Sequence, residues 1–267
     1  MILRVGNLRV SYKDRKKEVE IIKGVSFNVG KNRCLGILGE SGSGKSMTCN
    51  ALMGLLENNF NIDGNVYFKG EEILKIDEDS KRKIRGKSIC MILQNPMTAF
   101  NTLFTIENQA VETFREHLNI SKEEAIKLAI SALDKMNLKN SKEVLKKYPH
   151  ELSGGMLQRI MIGITIALEP DLIIADEPTT AIDPVNQVDV INELKLMKSK
   201  LKTSMIFITH DLGVLSQIAD DVIVMDKGQI IEQGSIDKIM NSPNHNHTKY
   251  LIDTRYKLLK KFKETLA

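Results

Sequence analysis

The chain has 267 residues, with 38 Lys and Arg against 34 Asp and Glu, a net charge of +4 that is too mild to imply a nucleic-acid partner. Its 42% hydrophobic and 27% charged residues suit an ordinary globular core. No apolar run approaches the roughly 18 residues needed to cross a bilayer, and Met1-Ile2-Leu3-Arg4-Val5 lacks the pattern of a signal peptide. Any membrane role is therefore expected to go through a partner that spans. The basic clusters Lys13-Asp14-Arg15-Lys16-Lys17 and Lys260-Lys261-Phe262-Lys263 read as a solvated loop and tail. Cys34, Cys49 and Cys90 are odd in number, widely spaced and set in apolar surroundings, which predicts buried thiols in a reducing compartment.

In chain order, Leu8-Arg9-Val10-Ser11-Tyr12 and Val25-Ser26-Phe27-Asn28-Val29 alternate like strands with one buried face. Cys34-Leu35-Gly36-Ile37-Leu38 is almost continuously apolar, as in a parallel strand covered on both faces. A glycine-rich turn follows, then an apolar helix expected over Met47 to Leu56. Asp63-Gly64-Asn65 reads as a turn leading into an antiparallel strand, Val66-Tyr67-Phe68. From about 95 to 167 the pattern is mostly helical and predicts an inserted helical subdomain. Within it Ser121 and Glu124 have the spacing of a capping box, opening a helix with the apolar face Ala125, Leu128, Ala129, Ala132, Leu133 and Met136. Strands resume at Leu172-Ile173-Ile174-Ala175 and Met205-Ile206-Phe207-Ile208, separated by a helix that Asp183 caps and Pro184 begins. Val222 to Met225, a Lys227-Gly228 turn and Ile230 to Glu232 predict a closing hairpin. Parallel strands alternating with helices make the fold class α/β.

Gly39-Glu40-Ser41-Gly42-Ser43-Gly44-Lys45-Ser46 fits G-x-x-x-x-G-K-[ST] between a buried strand and an apolar helix. Glycines let successive backbone N–H groups converge on phosphates, Lys45 supplies a point charge, and the Ser46 hydroxyl is placed for Mg²⁺. The helix that starts here turns its positive end to the anion. Downstream, Leu172 to Ala175 delivers Asp176 and Glu177 at its C-terminal end, where open α/β sheets place ligands. Asp176 is expected to hold Mg²⁺ through water together with Ser46, and Glu177 to polarise an attacking water as general base. These elements predict a magnesium-dependent nucleoside triphosphatase.

Leu152-Ser153-Gly154-Gly155-Met156-Leu157-Gln158 stands before a further apolar helix. Alone, such a sequence is a turn. In this order, after one phosphate loop and before an acidic strand end, it resembles the signature motif of the ABC ATPases, and the resemblance covers nearly the whole chain. The resemblance implies a P-loop NTPase fold of that type, with a mixed sheet core, an antiparallel β subdomain and the inserted helical subdomain. It also implies that Ser153, Gly154 and Gly155 face the phosphate loop of a second subunit, so that two chains sandwich each ATP. Tyr12 matches the aromatic residue that stacks on adenine. Gln94, in Ile92-Leu93-Gln94-Asn95-Pro96, matches the glutamine that reaches the metal and the attacking water. Ala181-Ile182-Asp183 matches the D-loop, with Ile182 where leucine is commoner, and His210 matches the switch histidine that contacts the γ-phosphate.

Within that family, Gln94-Asn95-Pro96-Met97-Thr98-Ala99-Phe100-Asn101 and the tail after Gln233-Gly234 resemble the peptide and nickel importer branch, most of all its D-type nickel ATP-binding subunits. Phe100 and Phe104 lie where that branch meets a permease, or belong to the subdomain core; both readings stay open. No cysteine follows Cys90, which speaks against the iron–sulfur cluster of longer-tailed peptide relatives. His245-Asn246-His247-Thr248 departs from the branch's H-P-Y-T, and two histidines without a third ligand read as surface residues. The expected layout is an ATPase domain over 1–240 with the helical subdomain at about 95–167, and a short extension over 241–267. The resemblance implies ATP and Mg²⁺ as cofactors and the cytoplasmic face of the membrane as location. The implied partners are two transmembrane permease subunits, a second and related ATPase subunit, and indirectly an extracytoplasmic solute-binding protein. Nickel or a chelated transition metal is the expected cargo, with a di- or oligopeptide as alternative. A soluble, non-transport ABC ATPase is the rival of another class, and the missing heptad coiled coils and single cassette argue against it.

Overall fold

The computed structural model describes residues 1–14 and 17–254. Arg15, Lys16 and the Lys260–Lys263 cluster lie outside them. The chain divides into two compact units, one formed by Met1–Lys75 with the described residues from Ile206 onward, the other by Ile76–Met205.

The first unit opens with β1 (Leu3–Asp14) and β2 (Lys17–Val29), followed by β3 (Cys34–Leu38), α1 (Lys45–Leu52), β4 (Phe60–Phe68) and the short β5 (Glu71–Glu72). Strands β2, β1, β4 and β5 form, in that order, an antiparallel sheet. Its core face carries Leu3, Val5, Leu8 and Val10, all nearly inaccessible, although the first two and the last two differ in parity. A register shift between Val5 and Leu8 resolves the conflict. The extra residue at a bulge moves the apolar set back onto one face. Asn7 takes φ 49° there, and opposite it Gly64 sits at φ 122° with a would-be Cβ 2.7 Å from the Asn7 carbonyl. The turn expected at Asp63-Gly64-Asn65 is therefore a kink inside one continuous strand: glycine is required by the bulge opposite, not by a chain reversal. Helix α1 is also shorter than the expected Met47 to Leu56. Gly54 at φ 60° ends it, with Gly54 N–H donating to Ala51 O and Leu55 N–H to Asn50 O, the paired bonds of a glycine-terminated helix.

The second unit runs through α2 (Glu78–Ile84), β6 (Ile89–Ile92), α3 (Ile106–Leu118), α4 (Lys122–Lys135), α5 (Ser141–Leu145), α6 (Gly154–Ala167), β7 (Leu172–Asp176) and α7 (Pro184–Leu196). A π-helical turn over Met197–Leu201 leads towards β8 (Ser204–Ile208). Strands β6 and β7 are parallel, Ile89 opposite Leu172 and Ile92 opposite Ala175. Each long helix starts on a side chain that accepts a backbone N–H: Thr105, Ser121, Ser153 and Asp183. The Ser121–Glu124 box closes in both directions. Ala125, Ala129, Ala132 and Leu133 are buried on α4 and Met136 at its end, while Leu128 is half-buried. Helix α4 packs tightly on α6, where a Cβ on Gly163 would come 2.9 Å from Ala132 O. Helix α2 was not expected from the sequence, because it buries no residue and so has no apolar period.

The chain returns to the first unit with α8 (Leu212–Ile218), β9 (Asp221–Asp226), β10 (Gln229–Ser235) and α9 (Ile236–Asn241). Strand β9 pairs parallel to β3 and antiparallel to β10, so the arrangement is mixed. Lys227 and Gly228 carry positive φ (46° and 79°) in the two-residue hairpin turn. The fold class is α/β, with a mixed sheet and an antiparallel one. Substituting Gly228 by alanine would place a Cβ 1.8 Å from Ile21 O. We expect G228A to lose more than about 2 kcal/mol of stability, read as a lowered midpoint in denaturant; an unchanged midpoint would show that the turn yields freely.

Candidate nucleotide site

In the first unit the phosphate loop leaves β3, whose five residues are all buried. Gly39 cannot carry a side chain, since its Cβ would lie 2.4 Å from Met225 O, and Gly44 takes φ 105° with Ile22 Cδ1 2.6 Å from where a Cβ would be. Gly44 is also the residue before α1, and no side chain caps that helix. Its first N–H groups are thus turned to the loop, as anion binding requires. Ser43 N–H donates to Glu40 O at 3.2 Å, and Gly228 N–H donates to Ser43 O at 3.0 Å, so the β9–β10 turn braces the loop from behind. Lys45, only 7% exposed, donates from Nζ to Gly39 O (2.9 Å), Glu40 O (2.7 Å) and Ser43 Oγ (3.5 Å). The loop's own carbonyls therefore hold the ammonium in place for a phosphate. Ser46 is half-buried in the first turn of α1, while Glu40, Ser41 and Gly42 are exposed. Such a backbone cradle with one fixed cation fits a nucleotide polyphosphate.

On β1, the half-buried Tyr12 is not an isolated surface ring. It meets Phe60 edge-on, centroids 5.3 Å apart at 61°. His210 is exposed, between the buried Thr209 and the exposed Asp211. Asp211 N–H donates to Thr209 Oγ1, and the Asp211 carboxylate accepts from Gly213 and Val214, so this short segment is tightly fixed.

In the second unit Asp176 is 5% exposed at the end of β7, and Glu177 follows with φ 45°. A non-glycine residue in that region costs about 1–3 kcal/mol. The Glu177 carboxylate accepts at Oε2 from Gln94 Nε2 (3.2 Å) and Thr180 Oγ1 (3.1 Å). The structure thus brings together Gln94 and Glu177, which lie 83 positions apart in the chain. Ser153 caps α6 by accepting from Met156 N–H at 3.3 Å. Gly155 lies against the D-loop, its would-be Cβ 2.9 Å from Ala181 O. Asp183 accepts from Asn186 N–H (3.1 Å) and Nδ2 (2.7 Å); the side-chain bond from Asn186, then its backbone N–H, hold the carboxyl below the usual range. Asp176 and Ser46 carry the oxygen chemistry that Mg²⁺ selects.

Three contributors were not singled out from the sequence. Gly228 read only as a hairpin turn, Thr180 carried no motif signal, and Asn186 lies beyond the D-loop. Nothing local marks these contacts. Their roles come from the third dimension. The buried thiols are as expected, and burial pushes Cys90 up to about 12. In the tail, His247 N–H donates to His245 Nδ1 (3.1 Å), and Glu232 accepts from Asn244 and His245 N–H. Among the described residues no group of three His, Cys, Asp or Glu could hold a metal ion.

The model of the ABC transporter family matches residues 22–180. The metal-staphylopine import system ATP-binding protein CntD of Staphylococcus aureus (strain NCTC 8325 / PS 47) is 42% identical over 99% of this chain and 97% of that protein. The oligopeptide transport ATP-binding protein OppD of Bacillus subtilis (strain 168) is 41% identical over 92% of this chain and 70% of that one. Among solved structures, the dimeric post-hydrolysis state of the ATP-binding cassette MJ0796 bound to ADP and Pi superposes with a TM-score of 0.80 at 25% identity, covering 88% of this chain and 99% of that one. The chain belongs to the ABC transporter family, as an ATP-binding, ATP-hydrolysing subunit of the importer kind. No helix among its described residues is long and apolar enough to cross a membrane. Because Lys45 is the loop's fixed cation, K45A is expected to weaken ATP binding by at least about a hundredfold in titration calorimetry; unchanged affinity would refute the assignment of the loop.

Proposed function

We propose that this subunit powers uptake of a chelated transition metal, nickel among the candidates. What supports this reading is the match along 97% of the ATP-binding protein of a metal-staphylopine import system, against 70% of an oligopeptide transport one. A peptide cargo is the second reading, favoured by the 41% identity to the latter. Two permease subunits, an extracytoplasmic solute-binding protein and a related second ATPase chain complete the proposed assembly. The subunit would sit peripherally at the cytoplasmic face of the membrane. Met97, Leu103 and Phe104, 44%, 77% and 49% exposed, are the apolar side chains offered to a permease, whereas Phe100 is half-buried. Residues 1–240 would form the ATPase domain and 241–267 an extension.

In the proposed reaction Tyr12 stacks on adenine and the backbone of Gly39 to Ser46 cradles the phosphates. Lys45 neutralises charge on the transferring group. Ser46, Gln94 and Asp176 would hold Mg²⁺, which when bound offsets phosphate charge. Glu177 takes a proton from water, Gln94 and Thr180 orient its carboxylate, and His210 contacts the γ-phosphate. Ser153, Gly154 and Gly155 serve the nucleotide of the second subunit, and Asp183 lies at that junction. Closure is favoured because only the closed dimer contacts ATP from both sides. Changing Glu177 to Gln keeps the two donors' partner but removes the base. We expect turnover to fall at least about a hundredfold while an ATP-bound dimer accumulates in gel filtration; wild-type turnover would sink the assignment. For the cargo, uptake of ⁶³Ni²⁺ with and without a chelator should be compared with labelled di- and oligopeptides in cells carrying or lacking this subunit. Loss of peptide uptake alone would replace the metal reading with the second one.

A further inference from the structure

We infer that Gln158 is a positioning residue for ATP hydrolysis, holding the Leu93–Gln94 segment so that Gln94 stays on Glu177, and thereby tying the Ser153–Gly155 turn to the general base of its own chain. The inference rests on the roles proposed above for Gln94 and Glu177. Gln158 lies on α6 just past the Ser153 cap and is completely buried. Its flanking core residues Leu157, Ile160 and Met161 are apolar, and a leucine in its place would be cheaper to bury. Instead its Nε2 donates to Leu93 O at 3.3 Å. A carbonyl can only accept, so the orientation of this amide follows from its partner. Its Oε1 is buried with no donor among the described residues. A half-satisfied buried amide destabilises the fold, and such groups call for a reason beyond packing.

That reason lies one peptide further on. Gln94 donates to Glu177 Oε2, the same oxygen that accepts from Thr180. Holding Leu93 O therefore sets where one of the donors to the base begins. The neighbouring Arg159 fastens the other flank of α6. Its Nη1 donates to Asn186 Oδ1 at 2.9 Å and Met136 O at 3.3 Å, and Asn186 in turn holds Asp183. Helix α6 is thus anchored through consecutive side chains to the carbonyl that precedes Gln94 on one side and, through Asn186, to Asp183 on the other. Since its N-terminal turn is the part that would meet the second subunit's nucleotide, a shift of α6 on that binding event is carried to Glu177 in the same chain.

Gln158→Met removes the donor at nearly constant volume. In the assembled transporter, we expect kcat for ATP to fall about tenfold, with KM within about twofold and the thermal midpoint little changed. A second arm places Q158M in a Q94A background. If Gln158 acts through Gln94, the second substitution adds less than about twofold there. A full tenfold loss on top of Q94A, or a lowered midpoint with unchanged kcat, overturns the inference. Should Q158M not fold, Gln158→Asn keeps the amide but withdraws it by one methylene, and the same two outcomes decide. E177Q separates the two levels. If E177Q turns over normally, the proposed roles fail; if it is silent while Q158M behaves as wild type, only this inference fails.

Discussion

Phosphate held by backbone N–H groups leaves no room for side chains, and much of the first unit follows from that constraint. Gly39 faces the carbonyl of Met225 so closely that no Cβ fits, and Gly44 adopts a conformation open to glycine with Ile22 against it. Met225 continues the buried run Val222 to Val224 and Ile22 is itself fully buried, so the loop is pressed between fixed walls. The Lys45 ammonium, almost withdrawn from solvent, would cost several kcal/mol to bury alone. The carbonyls of Gly39 and Glu40, which accept from it, offset part of this cost.

The second unit answers a different requirement, which is orientation of a carboxylate. Glu177 sits in strained backbone at the end of a fully buried strand, and its oxygen is aimed by Gln94 and Thr180. The strain is affordable because β7 is locked beside β6 in parallel register. Precision at the carboxylate therefore derives from a rigid element with donors added at its tip, not from the acid itself.

Legibility in the sequence divides along the same lines. Features with a local signature could be read directly: the phosphate loop, the caps at Ser121 and Asp183, the buried run Cys34 to Leu38 and the Lys227-Gly228 turn. Each depends on residues within a few positions of one another. What could not be read depends on partners far along the chain. Gly64 has the composition of a turn and becomes a kink only because Asn7 bulges opposite it. Helix α2 has no apolar stripe to reveal it. Gln158 appeared as the last letter of a motif, while its function depends on a carbonyl 65 positions away.

Helix α6 shows why a motif can carry more than the site it names. Its first turn presents Ser153 to Gly155, and its next turn points Gln158 and Arg159 inward to Leu93 and Asn186. A helix is stiff over this length, so displacement at one end cannot be absorbed before it reaches the other. Placing the recognition residues and the two anchors on adjacent turns makes any movement of the turn a movement of the loop that bears Gln94. A longer connection or a glycine between them would let the two decouple. The short spacing from Ser153 to Gln158 is therefore the physical basis on which the proposed link between the Ser153–Gly155 turn and the Gln94 segment rests.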